Sequence, residues 1–322
     1  MTRGVSERAG GRFAAGFLLW AGLSSVIGCK NATGPAARTT ISGSGGSGTS
    51  GADGAGSGGV PGAPGASGGA PGGTGGTRGG ADGNSVGGVW APAPGVTWQW
   101  QLMGTIDTSV DAAMFDIDLF DAPASTVATL HARGVKVICY TSAGSFEDWR
   151  SDAARFPADV KGKGVAGWPG EAWLDVRRTA ELMPIMEARM DLCVGKGFDG
   201  IELDNVDGYD NDTGFPLSSP DQLAYNRLLA QAAHARGLSV GLKNDLGQVP
   251  DLVSAFDWAL NEECFAYDEC DALRPFISAG KAVFNAEYTL TASAVCAKAS
   301  ALRFSTIIKN LKLDAYRVAC PP

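Results

Sequence analysis

The sequence predicts an α/β fold, a (β/α)8 TIM barrel, preceded by a signal peptide and a disordered Gly/Ser-rich tether. Two observations point to the barrel. Beyond Val96, short apolar strands alternate with amphipathic or Ala-rich helices, the order that builds a parallel sheet. The last residues of those strands are repeatedly polar or ionisable, and the carboxyl ends of barrel strands are where such folds carry their working groups. A doubly wound open sheet is the architectural alternative.

The 322 residues, 44% hydrophobic and 19% charged, allow one large domain or two ordinary ones, and composition divides them unevenly. Met1 to Arg12 carry Arg3, Arg8 and Arg12, and Phe13 to Ile27 form an apolar run of signal-peptide length, short for a membrane span. The run ends in Val26-Ile27-Gly28-Cys29, which resembles the lipobox of bacterial lipoproteins. That resemblance implies a signal peptide over 1–28, a lipid on Cys29 and membrane association through that anchor alone; an ordinary secreted protein is the other outcome. Residues 29–95 are Gly, Ser, Ala, Pro and Thr with few large apolar side chains, too little to offset the entropy of ordering, and form a flexible linker. The glycines keep no period of three, which rules out a collagen helix. Residues 96–322 are one domain's worth of chain.

Eight strands are predicted within it, at 98–103, 113–118, 135–141, 199–204, 238–243, 257–262, 281–287 and 304–309. Helices fit at 123–134, 177–196, 219–236, 248–255, 269–279 and 291–300. Gly134, Gly197, Gly237 and Gly280 precede strands, as residues that end helices in the left-handed conformation should.

Of seven cysteines, the six beyond Cys29 lie in an exported domain where disulfides persist. Cys264 with Cys270 and Cys296 with Cys320 each close a short loop and are the expected pairs, whereas Cys139 and Cys193, on a strand and a helix, read as buried thiols. There is no CxxC, and His131 and His234 fall on helix surfaces, so the spacing does not suggest a zinc site. Asp210-Asn211-Asp212-Thr213-Gly214 fails as a calcium loop, its glycine one position early and Asp221 at the twelfth place.

The chemistry concentrates in Gly197 to Tyr209. Ile201 and Leu203 alternate with Glu202 and Asp204, so one strand face is aliphatic and the other acidic, with Asp204 at the carboxyl end. Other strands end in Asp118, Tyr140, Lys243 with Asn244, Glu262 and Glu287. Several carboxylates without a usable His or Cys constellation suit glycoside hydrolysis, which needs one protonated acid and one carboxylate flanking the sugar. The loops after strands seven and eight lack the glycines that cradle phosphate.

Taken together, Trp98-Gln99-Trp100-Gln101-Leu102, Ile117-Asp118-Leu119-Phe120-Asp121, Cys139 to Ser145, Trp173-Leu174-Asp175-Val176-Arg177, Gly197 to Tyr209, Gly241 to Asp245 and Asn261-Glu262-Glu263-Cys264 resemble glycoside hydrolase family 114, the endo-α-1,4-polygalactosaminidases. The resemblance runs from Trp98 to about Asn310 and implies a (β/α)8 barrel that cleaves α-1,4-linked galactosamine polymers without a metal or organic cofactor; a glycosidase of another hexosamine or galactose polymer, or a carbohydrate-binding barrel without catalysis, is the alternative. By motif it puts the nucleophile on Asp204 and the acid/base on Glu262, beside a glutamate at Glu263 where the family often has glutamine. Lys243 would hold Asp204 ionised, while Trp258 and Leu260 would desolvate Glu262 and keep it protonated.

Glu202 reads as a buried partner of the pair, and Asp118 and Glu287 as contacts to substrate amines or hydroxyls. Asn205, Asp207, Tyr209 and Asn244 line the same strand ends as further substrate contacts. Tyr140, Tyr209, Trp98 and Trp100 can stack on sugar faces, although aromatics at strand starts also build barrel cores. Trp149, Trp168 and Trp173 follow strand three, and one of them is expected to touch substrate. A net charge of −8 suits a cationic galactosamine polymer as partner rather than a nucleic acid, and the protein is expected to be monomeric. Stereochemistry turns on a carboxylate separation, about 5–5.5 Å for retention and about 6.5–9.5 Å for inversion, which a sequence does not encode.

Overall fold

The computed structural model describes residues 88–321; the expected signal peptide, Cys29 and the linker before Gly88 lie outside them. The elements in chain order are β1 (Trp98–Gln101), β2 (Met114–Asp118), α1 (Ala124–His131), β3 (Lys136–Ser142), β4 (Ser145–Glu147), β5 (Lys161–Gly164), β6 (Glu171–Leu174), α2 (Thr179–Lys196) and β7 (Gly200–Asp204). They continue with α3 (Ser219–Ala235), β8 (Ser239–Lys243), α4 (Val249–Leu252), β9 (Trp258–Glu262), α5 (Arg274–Ser278), β10 (Val283–Glu287), α6 (Ala292–Leu302), β11 (Ser305–Ile308) and β12 (Val318–Ala319).

The main sheet runs β1-β2-β3-β7-β8-β9-β10-β11-β12, parallel throughout except for the antiparallel β12. Strand order follows chain order without the reversal that defines a doubly wound sheet. The sheet is curled. Six strand steps at about 4.8 Å would hold β1 and β10 far apart in a flat sheet. Yet the rings of Trp98 and Phe284 are 5.1 Å apart, and Trp98 Nε1 donates to the carbonyl of Ser305 at 2.7 Å. The chain's end packs here too: Lys309 Nζ donates to the carbonyls of Asp314 and Tyr316, and Leu102 N donates to Leu313 O.

Strand parity makes two apolar layers. Phe115, Ile117, Ile201, Leu203, Val240 and Leu242 pack outward against the helices. Trp98, Trp100, Met114, Ile138, Trp258, Leu260, Phe284 and Ile307 fill the concave side. Each such large side chain, fully buried, contributes roughly 1.5–3 kcal/mol.

Helix ends follow local chemistry. Ser218 and Asp221 form a reciprocal capping box on α3, and Gly197, at φ 89°, ends α2 in the left-handed conformation and turns the chain into β7. The helices expected at 248–255 and 269–279 are broken into 3-10 turns joined to the short α4 and α5, whose first turns hold Pro250 and Pro275. Residues 102–113 join β1 to β2 without a helix.

Three features depart from expectation. Trp90 packs against the concave core and Pro92 O accepts from Ala282 N, so the folded body begins before residue 96. The segment after β3 forms a separate antiparallel sheet, β4-β6-β5. And Cys139 and Cys193, expected as thiols, are joined in a disulfide that ties β3 to α2, beside the expected Cys264–Cys270 and Cys296–Cys320 bridges. Both belong to the sheet–helix layer, since Cys139 alternates with Tyr140 along β3 and Cys193 lies on the buried stripe of α2.

Candidate active site

Asp204 ends β7 and Lys243 ends the neighbouring β8, both facing the concave side. The Lys243 ammonium, on a side chain 2% exposed, lies 2.9 Å from Asp204 Oδ1, 3.1 Å from Glu202 Oε1 and 3.2 Å from Glu262 Oε2. One cation thus serves three acids from β7 and β9. Burial alone would favour the neutral amine; Asp204, Glu262 and Glu202 together hold its pKa well above the usual value.

Asp204 Oδ1 also accepts from the Asn205 amide at 2.8 Å, and Oδ2 from the Tyr140 hydroxyl at 2.8 Å. Burial raises the pKa of this carboxyl, but Lys243, Tyr140 and the Asn205 amide outweigh it and leave it below the ordinary range. Asp204 is therefore an anion at neutral pH. Burial first, and then the same negative charge, drive the Tyr140 phenol upward.

Glu262 presents the more open carboxyl, its side chain 29% exposed against 18% for Asp204. Tyr288 donates to Oε1, and Asn244 Nδ2 donates to Oε2 at 3.3 Å. The expected isolation of Glu262 by Trp258 and Leu260 does not hold, because the Lys243 that faces Asp204 also reaches it. Glu263 turns away: with φ 60° it directs its carboxylate to the Thr289 hydroxyl, 3.2 Å off. Glu262 is the acid that shares Lys243 with Asp204. Because both touch one ammonium, Asp204 Oδ1 and Glu262 Oε2 lie within about 6 Å of each other.

Flanking residues fix these acids. Asn205, left-handed at φ 60°, sends Nδ2 to Ser142 Oγ and Ser145 Oγ at 3.1 Å and to Glu171 Oε1 at 2.9 Å. A Cβ on Gly144 would overlap the Asn205 carbonyl, so this close approach requires glycine. Burial raises Glu171 to about 7 against its hydrogen bond from Ser145. Asn244, at φ 49°, accepts at Oδ1 from Glu262 N at 3.0 Å. Asp207 is half-buried, and burial with the charge of Asp204 raises it to about 6. Tyr209 lies beside Asp245, a buried acid that accepts from Asn226 Nδ2 at 2.9 Å and is raised to about 8 chiefly by burial and then by Asp207.

Three expected substrate contacts are committed elsewhere. Arg150 grips the Asp118 carboxylate, with Nη2 2.8 Å from Oδ2 and Nη1 donating to Oδ1 at 3.0 Å, and the Phe120 and Asp121 amides complete its bonds. Trp98, 1% exposed, is concave core. Glu287 lies on the opposite face of β10 from Ala286 and accepts from the Phe265 amide at 3.0 Å. Trp173 is buried in β6, while Trp149 and Trp168 stand 52% and 53% exposed. His131 and His234, on helix surfaces as expected, pair with Asp199 and Asp257.

Two residues of the site are missing from the sequence-based expectation although strand parity points to both. Tyr288 continues the inward alternation of Phe284 and Ala286, and Asp116 precedes Asp118 by one full pleat. Glu171 carries no comparable signal.

A curled parallel sheet whose strand ends bring an ionised aspartate and a hydrogen-bonded glutamate to one lysine defines a carboxylate-pair hydrolase of glycosides. The chain belongs to glycoside-hydrolase family GH114, whose model matches residues 81–321. It is 43% identical to Aspergillus fumigatus Ega3, crystallised in complex with galactosamine, over 74% of this chain and 100% of that one, with a TM-score of 0.70. The glycoside hydrolase domain of Pseudomonas aeruginosa PelA, 14% identical over 71% of this chain and 99% of its own, shares the fold at a TM-score of 0.56. No curated protein matches the sequence.

Proposed function

We propose that this glycoside hydrolase cleaves within α-1,4-linked galactosamine polysaccharide, with Asp204 as nucleophile, Glu262 as acid/base and retention of configuration. The single observation that carries the reading is the bridging of both carboxylates by Lys243, at 2.9 and 3.2 Å. Asp204 attacks the anomeric carbon while Glu262 protonates the departing glycosidic oxygen, giving a glycosyl ester and a shortened chain. Glu262 then takes a proton from water, whose oxygen displaces Asp204 from the same carbon. Lys243 keeps both carboxylates on one ammonium, and Tyr140 and Tyr288 hold them in place. Tyr209, Asn205, Asn244 and Asp207 are the residues we place along the sugar path. The galactosamine bound by Ega3 supports an amino sugar, and the net charge of −8 suits a polycation.

The proposal extends to architecture and address. The eight parallel strands are read as a (β/α)8 barrel whose seam between β1 and β11 is packed by the chain's end. Three disulfides suit an exported protein, with Cys29 as lipid anchor; radiolabelled palmitate that enters the wild type but not Cys29→Ser tests that part.

The decisive assay incubates the protein with partly deacetylated α-1,4-galactosamine polymer and identifies products by mass. Internal cleavage by wild type and none by Asp204→Asn is the expected result. Intact polymer with wild type, or equal cleavage by the variant, overturns the reading.

A further inference from the structure

Beneath the two acids lies a third charge problem. Asp116 on β2 and Glu202 on β7 are both 0% exposed. Among the described residues no amide, hydroxyl or ring N–H donates to any of their four oxygens. The two carboxyl groups face each other from β2 and β7, the strands that flank β3. The Lys243 ammonium, 3.1 Å from Glu202 Oε1, is the cation that reaches them.

A hydrogen bond between two carboxyl groups needs a proton, since two carboxylates offer only acceptors. The surroundings enforce it. Trp100, Met114, Ile138 and Trp258 form the apolar concave core around this level, and a second unpaired anion in such a place is costly. The titratable and charged groups facing the pair are Tyr140 from β3, Asp204 from β7, Lys243 from β8, Glu262 from β9 and Tyr288 after β10. They contribute one positive charge against several acids, so Lys243 cannot neutralise two more.

We infer that Asp116 is a positioning residue: its carboxyl keeps a proton and donates it to Glu202, so that the buried pair carries one negative charge and Lys243 stays directed at Asp204 and Glu262. Without this proton the pair would draw the ammonium down the strand, away from the reacting carboxylates. Burial raises both groups, Asp116 well above its ordinary value and Glu202 to about 7, in agreement with this arrangement. The inference deepens the proposed glycosidase mechanism and rests on it for its kinetic consequence, but the shared proton itself is testable apart from any substrate.

The test is infrared difference spectroscopy at neutral pH, wild type minus Asp116→Asn, so that other raised acids such as Glu171, Asp207 and Asp245 cancel. A protonated-carboxyl stretch that shifts in heavy water and is lost in the variant is expected; Glu202→Gln, which also breaks the pair, should leave a spectrum without the same band. If Asp116→Asn does not fold, Glu202→Gln alone serves. A difference spectrum with no such band overturns the inference whether or not the enzyme cleaves galactosamine polymer. On that polymer, Asp116→Ala, which removes the donor, should lower kcat by roughly ten-fold with KM within about two-fold, because Lys243 loses its hold on the acids rather than on the sugar, whereas Asp116→Asn, whose amide still donates to Glu202, should keep kcat within about two-fold of wild type. A changed KM with an unchanged kcat would equally refute the positioning role.

Discussion

The ammonium of Lys243 stands 2.9 Å from Asp204 and 3.2 Å from Glu262, so one side chain is paired with both acids. Lys243→Met would leave Glu202, Asp204 and Glu262 without their common cation. Breaking a buried pair by removing one partner costs about 3–5 kcal/mol, and loss of a preorganised charge at a reacting centre lowers kcat by about 10²–10³-fold. Thermal melting and steady-state kinetics on galactosamine polymer check the two effects separately. A variant of unaltered kcat would remove Lys243 from the mechanism.

Asp118 and Arg150 predict the opposite separation. Their bidentate contact is buried and holds the segment after β3 to the end of β2. Asp118→Asn weakens that contact and should destabilise the fold by about 1.5–3 kcal/mol, the worth of a hydrogen bond to a charged group. Once folded at moderate temperature, the variant should keep KM and kcat within about two-fold. A raised KM at unchanged stability would return Asp118 to the substrate path.

All eight parallel strands are legible in the residues, because each alternates or runs apolar for a few positions, and Gly134, Gly197, Gly237 and Gly280 mark the preceding helix ends with positive φ. The parity of β7 is legible too, since Ile201 and Leu203 contrast with Glu202 and Asp204. Along β10 the pattern fails: Val283, Phe284 and Ala286 are apolar on both faces, so only the pairing of Ala286 with Glu262 reveals that Glu287 points outward. The role of Asp118 depends on an arginine 32 residues away. The Cys139–Cys193 bridge joins residues 54 apart, where loop length offers no guide. And Lys161-Gly162-Lys163-Gly164 has no alternation to announce β5, whose place comes from pairing with β6.

Asp245 gives a stability prediction with a definite sign. A carboxyl whose folded pKa exceeds its unfolded value stabilises the fold fully below that unfolded value, about 3.9, and loses the contribution progressively as pH climbs to the folded value. For Asp245 the folded value is about 8, set by burial and Asp207. Asp245→Asn stays neutral throughout. Its melting temperature relative to wild type should therefore rise from about pH 4 to about pH 8 and level off beyond, as followed by circular dichroism. A difference that is flat across this window would mean that Asp245 is ionised without penalty.

Trp149 and Trp168 are the exposed tryptophans of the segment inserted after β3, 52% and 53% accessible, while Trp173 from the same segment is buried. The segment is held beside the site: Glu171 on β6 accepts from Asn205, the neighbour of Asp204. Arg150, next to Trp149, is fixed by Asp118 and Glu147, which holds the backbone under that indole without covering the ring. An indole kept in water on a segment tied to the site suits the apolar face of a sugar, and sugar–aromatic contacts of this kind act on binding before chemistry. Replacing either tryptophan with alanine should therefore raise KM for long polymer by about three- to ten-fold, matching roughly 0.7–1.4 kcal/mol of stacking. Values of kcat should hold, and short oligosaccharides that do not reach the insertion should be cleaved as by wild type. An unchanged KM for long polymer in both variants would place the sugar path away from this face.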